Sequence, residues 1–156
     1  MAGGCVCVLF ETQRTEPFKE TARSLGISRA FLTPSFARSL DEDTFERSAT
    51  ILLGGEAILS QDIARWKDQT CLKIVYRPSE CTPFTSVQPS ILSKSRASNI
   101  GRPVGAVRRV TDPRNHDKLM PIGAIGELVV EGPIVGCGYI NDPMKTAEVF
   151  IQDPTS

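Results

Sequence analysis

Four short apolar runs recur along the first half of the chain, at residues 5–9, 29–32, 50–53 and 71–76, with a helix-like stretch between each run and the next. No other feature limits the available folds so strongly. Runs of four to six residues rich in Val, Ile, Leu, Phe and Cys are too short for helices and suit buried strands. The stretches between them carry helix punctuation. Thr15 precedes Pro17, with Phe18, Ala22 and Leu25 on one face and Gly26 as a stop; Thr33-Pro34 opens a helix whose Phe36, Ala37 and Leu40 face inward. Ser60 is placed as a cap, with Asp62 in the first turn and Ile63 and Trp66 on the inner face. Strands bridged by helices in this way pair in parallel through right-handed crossovers. The predicted class is α/β: a mostly parallel sheet flanked by helices, βαβαβαβ, over residues 1–98.

The second half reads differently. Residues 84–88 form one more predicted strand, and 89–99 are polar. From Ile100 onward glycines punctuate a β-like pattern, with strands at 104–111 and 126–131 around a turn at 112–117, and a last helix opening at Asp142-Pro143. This is the predicted small β-rich subdomain, residues 99–156. His116, the single histidine, falls in that turn and reads as a solvated turn residue rather than a catalytic base.

Composition closes off several function classes. Lys plus Arg equals Asp plus Glu at 18 each over 156 residues, so no global field recruits nucleic acid or an anionic membrane. No apolar run reaches the roughly 20 residues of a spanning helix. The first ten residues lack the basic region of a signal peptide, so the expected location is cytoplasmic. Five cysteines without a Cys-x-x-Cys pair, beside one histidine, give neither a zinc site nor an even disulfide framework. Cys5 and Cys7 alternate on one face of the first predicted strand, as small apolar residues.

Two loops follow the C-terminal ends of predicted strands, the edge where open α/β sheets bind ligands. In Gly54-Gly55-Glu56 the glycines let backbone approach a ligand, and equally make a plain turn. The stretch Tyr76-Arg77-Pro78-Ser79-Glu80-Cys81-Thr82 offers a flat ring, a hydroxyl and a hard anionic oxygen. Such a set suits a nucleotide, with the ring on a base, Ser79 at a phosphate and Glu80 on Mg²⁺. It also suits an ordinary strand-to-loop exit.

The order and spacing of these stretches carry a resemblance to a known family. They are Gly3-Gly4-Cys5-Val6-Cys7-Val8, Phe31-Leu32-Thr33-Pro34-Ser35, Leu53-Gly54-Gly55-Glu56-Ala57 and the stretch 76–82. They continue with Asn99-Ile100-Gly101-Arg102-Pro103-Val104-Gly105, residues 121–133, and Gly138-Tyr139-Ile140-Asn141-Asp142-Pro143. Over nearly its whole length the chain resembles an internal part of an adenylation domain from a fungal nonribosomal peptide synthetase, in the AMP-binding, adenylate-forming superfamily. The resemblance implies activation of an amino acid with ATP to aminoacyl-AMP and pyrophosphate, then loading of a carrier-protein thiol. It implies that Tyr76 stacks on adenine, Ser79 contacts the α-phosphate and Glu80 holds Mg²⁺. The backbone of Gly55, Glu56 and Ala57, together with Val75, would line ATP or AMP. Phe31, Ile51, Leu53, Val75, Pro83 and Phe84 would line an amino-acid pocket suited to an apolar or aromatic side chain. Phe31 and Ile51 read equally well as core.

Departures from the family pattern are specific. Ile74 stands where the family has Asn, removing a hydrogen bond to the adenine edge worth roughly 0.5–1.5 kcal/mol. Arg77 stands in place of Gly, and would be strained by about 1–3 kcal/mol if that turn required positive φ. Cys137 replaces an Arg. The family's Gly-rich phosphate loop, amine-gripping Asp, ribose-binding Asp and catalytic Lys have no counterpart in these residues, so no residue is assigned a catalytic role. The chain is therefore expected to be a fragment inactive alone. The alternatives are a non-catalytic remnant, a docking module of a larger synthetase, or a fragment of an acyl-CoA ligase; the Gly-Gly-Glu-Ala and Glu-Cys-Thr stretches favour the peptide-synthetase branch. The implied partners are an amino acid and a carrier protein, with no nucleic acid and no membrane.

Overall fold

The structure is a computed structural model that describes residues 4–11, 18–89, 91 and 96–151. The chain groups into two compact units, Met1–Tyr76 with Val87–Gly101, and Arg77–Ser86 with Arg102–Ser156. Among the described residues no helix is long and apolar enough to cross a membrane.

In the first unit, strands β1 (Arg29–Leu32), β2 (Thr50–Leu53), β3 (Cys71–Tyr76) and β4 (Ser86–Gln88, with Val87 and Gln88 in this unit) lie side by side in that order. β1 pairs with β2, and β2 with β3, in parallel. Helices α1 (Phe18–Ser24), α2 (Pro34–Ser39) and α3 (Ser60–Trp66) accompany them. The register aligns Ala30, Ile51 and Leu72 in one row and Leu32, Leu53 and Ile74 in the next. Side chains alternate across a strand, so both rows share a face. Ala22, Ala37, Leu40, Phe45, Ala49 and Trp66 complete the core with them. Each fully buried Leu, Ile or Phe contributes roughly 1.5–3 kcal/mol relative to exposure.

Local chemistry sets the helix starts. Pro34 stands in the first turn of α2, and Thr33 accepts the Phe36 N–H on its hydroxyl at 3.4 Å. The start of α3 differs from the sequence expectation: Leu59 occupies the cap position and Ser60 lies inside the helix. The Leu59 N–H is satisfied by the Asp62 carboxylate at 2.8 Å. Asp62 thus supplies the reach-back bond from the first turn to the cap residue's own N–H, a different bond from the one a Ser cap would make to the amides ahead of it.

The α/β class is observed, but the first predicted strand is absent. Residues 4–10 form no strand, and Val6 and Val8 are 85% and 81% exposed. Cys5 and Cys7 are likewise exposed rather than buried on a sheet face. Alternating apolar residues form a ladder only where a neighbouring strand supplies backbone partners, and among the described residues none runs beside 4–10. The observed order is βαβαβ followed by β4. Phe18 and Ala22 pack on the core as expected, whereas Leu25 is exposed. Thr15 and Pro17 lie outside the described residues.

In the second unit, a short strand β5 (Arg102–Pro103) precedes an antiparallel sheet of order β7-β6-β8, from β6 (Val107–Asp112), β7 (Asn115–Leu119) and β8 (Glu127–Glu131). Helix α4 (Pro143–Val149) follows, with Asp142 as its cap accepting the Lys145 N–H at 2.9 Å. The turn expected at 112–117 shortens to Pro113-Arg114, and the polar residues after it form β7. A solvent-facing edge strand needs no hydrophobic alternation, so this one leaves no period-2 signal. His116 thereby lies on a strand, half-buried, with Nε2 at 2.9 Å from Glu127 Oε2, and is not a solvated turn residue. Residues 80–82 run antiparallel to 134–136: Cys81 bridges Val135, Gly136 donates its N–H to the Glu80 carbonyl at 2.8 Å, and Thr82 to that of Ile134 at 2.9 Å.

Candidate functional site

At the C-terminal tips of β1–β3, Gly54 sits where no side chain fits. A Cβ there would lie 2.5 Å from the Val75 carbonyl oxygen, 2.7 Å from Val75 Cγ2 and 3.4 Å from Phe31 Cε2. Its absence lets Phe31 and Val75 close over the backbone. The register pairs Phe31 with Leu52 and Leu52 with Lys73. Val75, two residues beyond Lys73, shares that face, opposite the core rows. Phe31 is 39% exposed and Val75 is buried. Ile51 and Leu53 have 0% exposure and lie in the core cluster. They therefore pack the core and do not line a face with Phe31 and Val75. Leu52, which the sequence did not single out, lies on the face of Phe31 and Val75, because one step along a strand turns the side chain to the other face. Pro83 is exposed and Phe84 half-buried, both in the second unit.

In the loop after β2, the Glu56 carboxylate accepts the Ser35 hydroxyl at 2.7 Å and the Ser35 N–H at 3.0 Å. These bonds, the Ser35 hydroxyl foremost, hold its pKa below the usual carboxylate range. The side chain is thus committed to the start of α2. Gly55, Glu56 and Ala57 are all exposed residues.

Tyr76 closes the first unit and Arg77 opens the second. Tyr76 is exposed at the end of β3. Among the described residues Asn141 is the one non-glycine residue with positive φ, so Arg77 does not carry the backbone strain that replacing Gly could have imposed. Ile74 is 2% exposed, aligned with Leu53, and serves packing where the family has a polar amide. Ser79 is exposed. Glu80 accepts the Tyr139 hydroxyl on Oε1. That bond foremost, then its own backbone amide, lowers the Glu80 pKa against the opposing effect of burial, with the charge of Lys145 adding least, so the group is ionised at neutral pH. Tyr139 was visible in sequence as part of Gly138-Tyr139-Ile140, but nothing in its position along the chain pairs it with Glu80.

The donor set decides what cation could be held. Among the described residues no three His, Cys, Asp or Glu side chains gather as a metal cluster. An all-protein cage for calcium or zinc is therefore not built there. Mg²⁺ is commonly held by one or two carboxylates together with nucleotide phosphates, and a single ionised Glu80 fits that pattern.

The model of a family described as "AMP-binding enzyme" matches residues 1–140. Nonribosomal peptide synthetase 1 of Ajellomyces capsulatus is 47% identical over 97% of this chain and 8% of the relative. Nonribosomal peptide synthetase fmqA of Aspergillus fumigatus is 45% identical over 99% of this chain and 4% of the relative. The chain thus spans less than a tenth of the length of these two synthetases. Among solved structures, a holo four-domain nonribosomal peptide synthetase bound to AMP and glycine is similar with a TM-score of 0.77 and 25% identity, over 88% of this chain and 10% of that one. The N-terminal subdomain of Klebsiella oxytoca NpsA, in complex with 3-hydroxyanthranilyl-AMSN, gives a TM-score of 0.74 at 19% identity, over 95% of this chain and 37% of that one, a likeness of fold.

Proposed function

Since this chain belongs to the AMP-binding enzyme family, we propose that it is part of an amino-acid-activating adenylation unit of a nonribosomal peptide synthetase. That unit converts ATP and an amino acid to aminoacyl-AMP and pyrophosphate, and passes the aminoacyl group to a carrier-protein thiol. The observation that carries the reading is the stretch 76–82, which leaves β3 with an exposed Tyr76 and, four residues on, a Glu80 kept ionised by its hydrogen bonds.

In this reading Tyr76 stacks on adenine, the Ser79 hydroxyl meets the α-phosphate, and Glu80 is the Mg²⁺ ligand. The backbone of Gly55, Glu56 and Ala57, with Val75, follows the nucleotide. A bound Mg²⁺ supplies neutralisation of phosphate charge. On the sheet face set by the register, Phe31, Leu52 and Val75 meet an apolar amino-acid side chain; the assignment of Pro83 and Phe84 to the same substrate rests on the family resemblance alone. A cytoplasmic setting belongs to the proposal, in keeping with five cysteines that are all unpaired.

The test is an NMR titration of the chain with AMP and with ATP plus Mg²⁺. Base–aromatic stacking is worth roughly 1–3 kcal/mol, short of the about 4 kcal/mol of millimolar binding. The expected affinity is therefore millimolar or weaker, with shifts at residues 76–82 that vanish in Tyr76→Ala. Equal binding by the chain and by Tyr76→Ala would remove this loop from the nucleotide site.

A further inference from the structure

Glu80 is gripped twice by one short segment of the second unit. Its carbonyl oxygen accepts the Gly136 N–H at 2.8 Å, and its Oε1 accepts the hydroxyl of Tyr139, three residues further on. Tyr139 is itself held firmly. Its N–H donates to Thr146 Oγ1 at 2.9 Å, and the Thr146 hydroxyl donates to the Asp142 carbonyl at 2.7 Å. Gly138 turns the chain into this corner at φ +139°, where a Cβ would lie 2.5 Å from Thr146 Cγ2. The ring meets Phe150 edge-on at 5.6 Å, and Lys145 Nζ lies 4.7 Å from its centroid.

Ring and hydroxyl therefore have separate tasks. Packing against Phe150 and Lys145 needs only a six-membered aromatic ring, which phenylalanine would supply as well. The hydroxyl is directed at the carboxylate. A glutamate side chain has several rotatable bonds, and fixing one oxygen removes most of that freedom before any ligand arrives. The geometry points to Tyr139 as a positioning residue for Glu80, which commits Oε1 and presents the carboxylate in a single orientation to a divalent cation carried by a nucleotide. This rests on the reading of Glu80 as the cation ligand, and adds a residue that makes no contact with cation or nucleotide. Hydrogen-bond partners behind a ligating carboxylate typically change metal affinity by about 10–100-fold when removed.

The experiment compares ATP affinity in excess Mg²⁺ with that in EDTA, by NMR titration of the full chain, Tyr139→Phe, Thr146→Val and Glu80→Gln. Taking the ratio of the two affinities cancels any general weakening of the fold. Mn²⁺ in place of Mg²⁺ supplies a second readout, paramagnetic broadening of the Cys81 and Gly136 amides. In the unaltered chain Mg²⁺ is expected to tighten ATP binding, and Glu80→Gln to abolish the effect. Tyr139→Phe should reduce it about tenfold and weaken the Mn²⁺ broadening. Thr146→Val, which keeps side-chain shape but loses the acceptor for the Tyr139 N–H, should reduce the effect in part and stands in if Tyr139→Phe does not fold. If both variants keep the full Mg²⁺ effect while Glu80→Gln loses it, Tyr139 is not a positioning residue and the role of Glu80 survives. If Glu80→Gln keeps it, or the unaltered chain shows none, the reading of Glu80 fails and the role of Tyr139 with it.

Discussion

Ile74 and Arg77 mark the two departures from the family pattern nearest the proposed nucleotide loop, and the structure separates them. Ile74 is core, aligned with Leu53 and all but closed to solvent. Restoring the family residue as Ile74→Asn should therefore destabilise the chain by about 2–5 kcal/mol, since it removes buried apolar surface and buries an amide. Arg77→Gly relieves no positive-φ strain and should destabilise by about 0.4–1 kcal/mol through the freer unfolded backbone. Thermal melts of the two single variants check both expectations; equal destabilisation would contradict the assignment of Ile74 to the core. At this scale, legibility followed chemistry carried by neighbours in sequence. Tyr76, Ser79 and Glu80 stood out because a ring, a hydroxyl and a carboxylate occur within five residues. The partner that orients Glu80 lies 59 residues away, and only folding brings Tyr139 to it. That Ile51 and Leu53 share the buried face was not legible, because an apolar run does not itself declare which parity faces inward.

Between elements, one buried carboxylate ties two helices to a loop. Asp62 in the first turn of α3 accepts Arg38 Nε at 2.7 Å and Nη2 at 2.9 Å, and also the Leu59 N–H. Its side chain is 1% exposed, that of Arg38 34%. Burial pushes the Asp62 pKa up, but the Arg38 guanidinium and the Leu59 amide outweigh it and hold the group below the usual carboxylate range. A folded-state pKa below the unfolded one means that the contribution is complete above the unfolded value and disappears as pH falls through the folded one. Asp62→Asn should lower stability at neutral pH by about 1–2 kcal/mol, a modest figure because Arg38 stays partly hydrated. The difference from the unaltered chain should shrink in acid. Denaturant melts across pH 3–7 measure it, and a gap that widens in acid would reverse the argument. The strand-helix alternation of residues 29–76 was readable because its short apolar runs are bounded by caps and stops. Strand β7 was not, because its polar edge residues follow no alternation. The expected strand at 5–9 had the right composition, but among the described residues no strand runs beside it.

For the molecule as a whole, Ile122, Ile125, Ile140 and Met144 are almost fully exposed, and Val6 and Val8 largely so. Apolar side chains left open in such number favour association. Sedimentation velocity should show concentration-dependent self-association of the chain, reduced in Ile122→Ser with Ile125→Ser; a monomer at all concentrations would count against it. The second unit is also discontinuous in sequence, since Arg77–Ser86 belongs with Arg102–Ser156 while Val87–Gly101 belongs to the first unit. That discontinuity constrains recombination. Across that break Cys81 and Thr82 meet Val135 and Ile134 through the backbone, whereas Glu80 meets Tyr139 through side chains. A crossover near residue 98 therefore leaves the backbone pairing intact but keeps the side-chain contact only where one parent supplies Glu at 80 and the other Tyr at 139; carrying 77–86 and 102–151 together keeps it for any parent that has the pair.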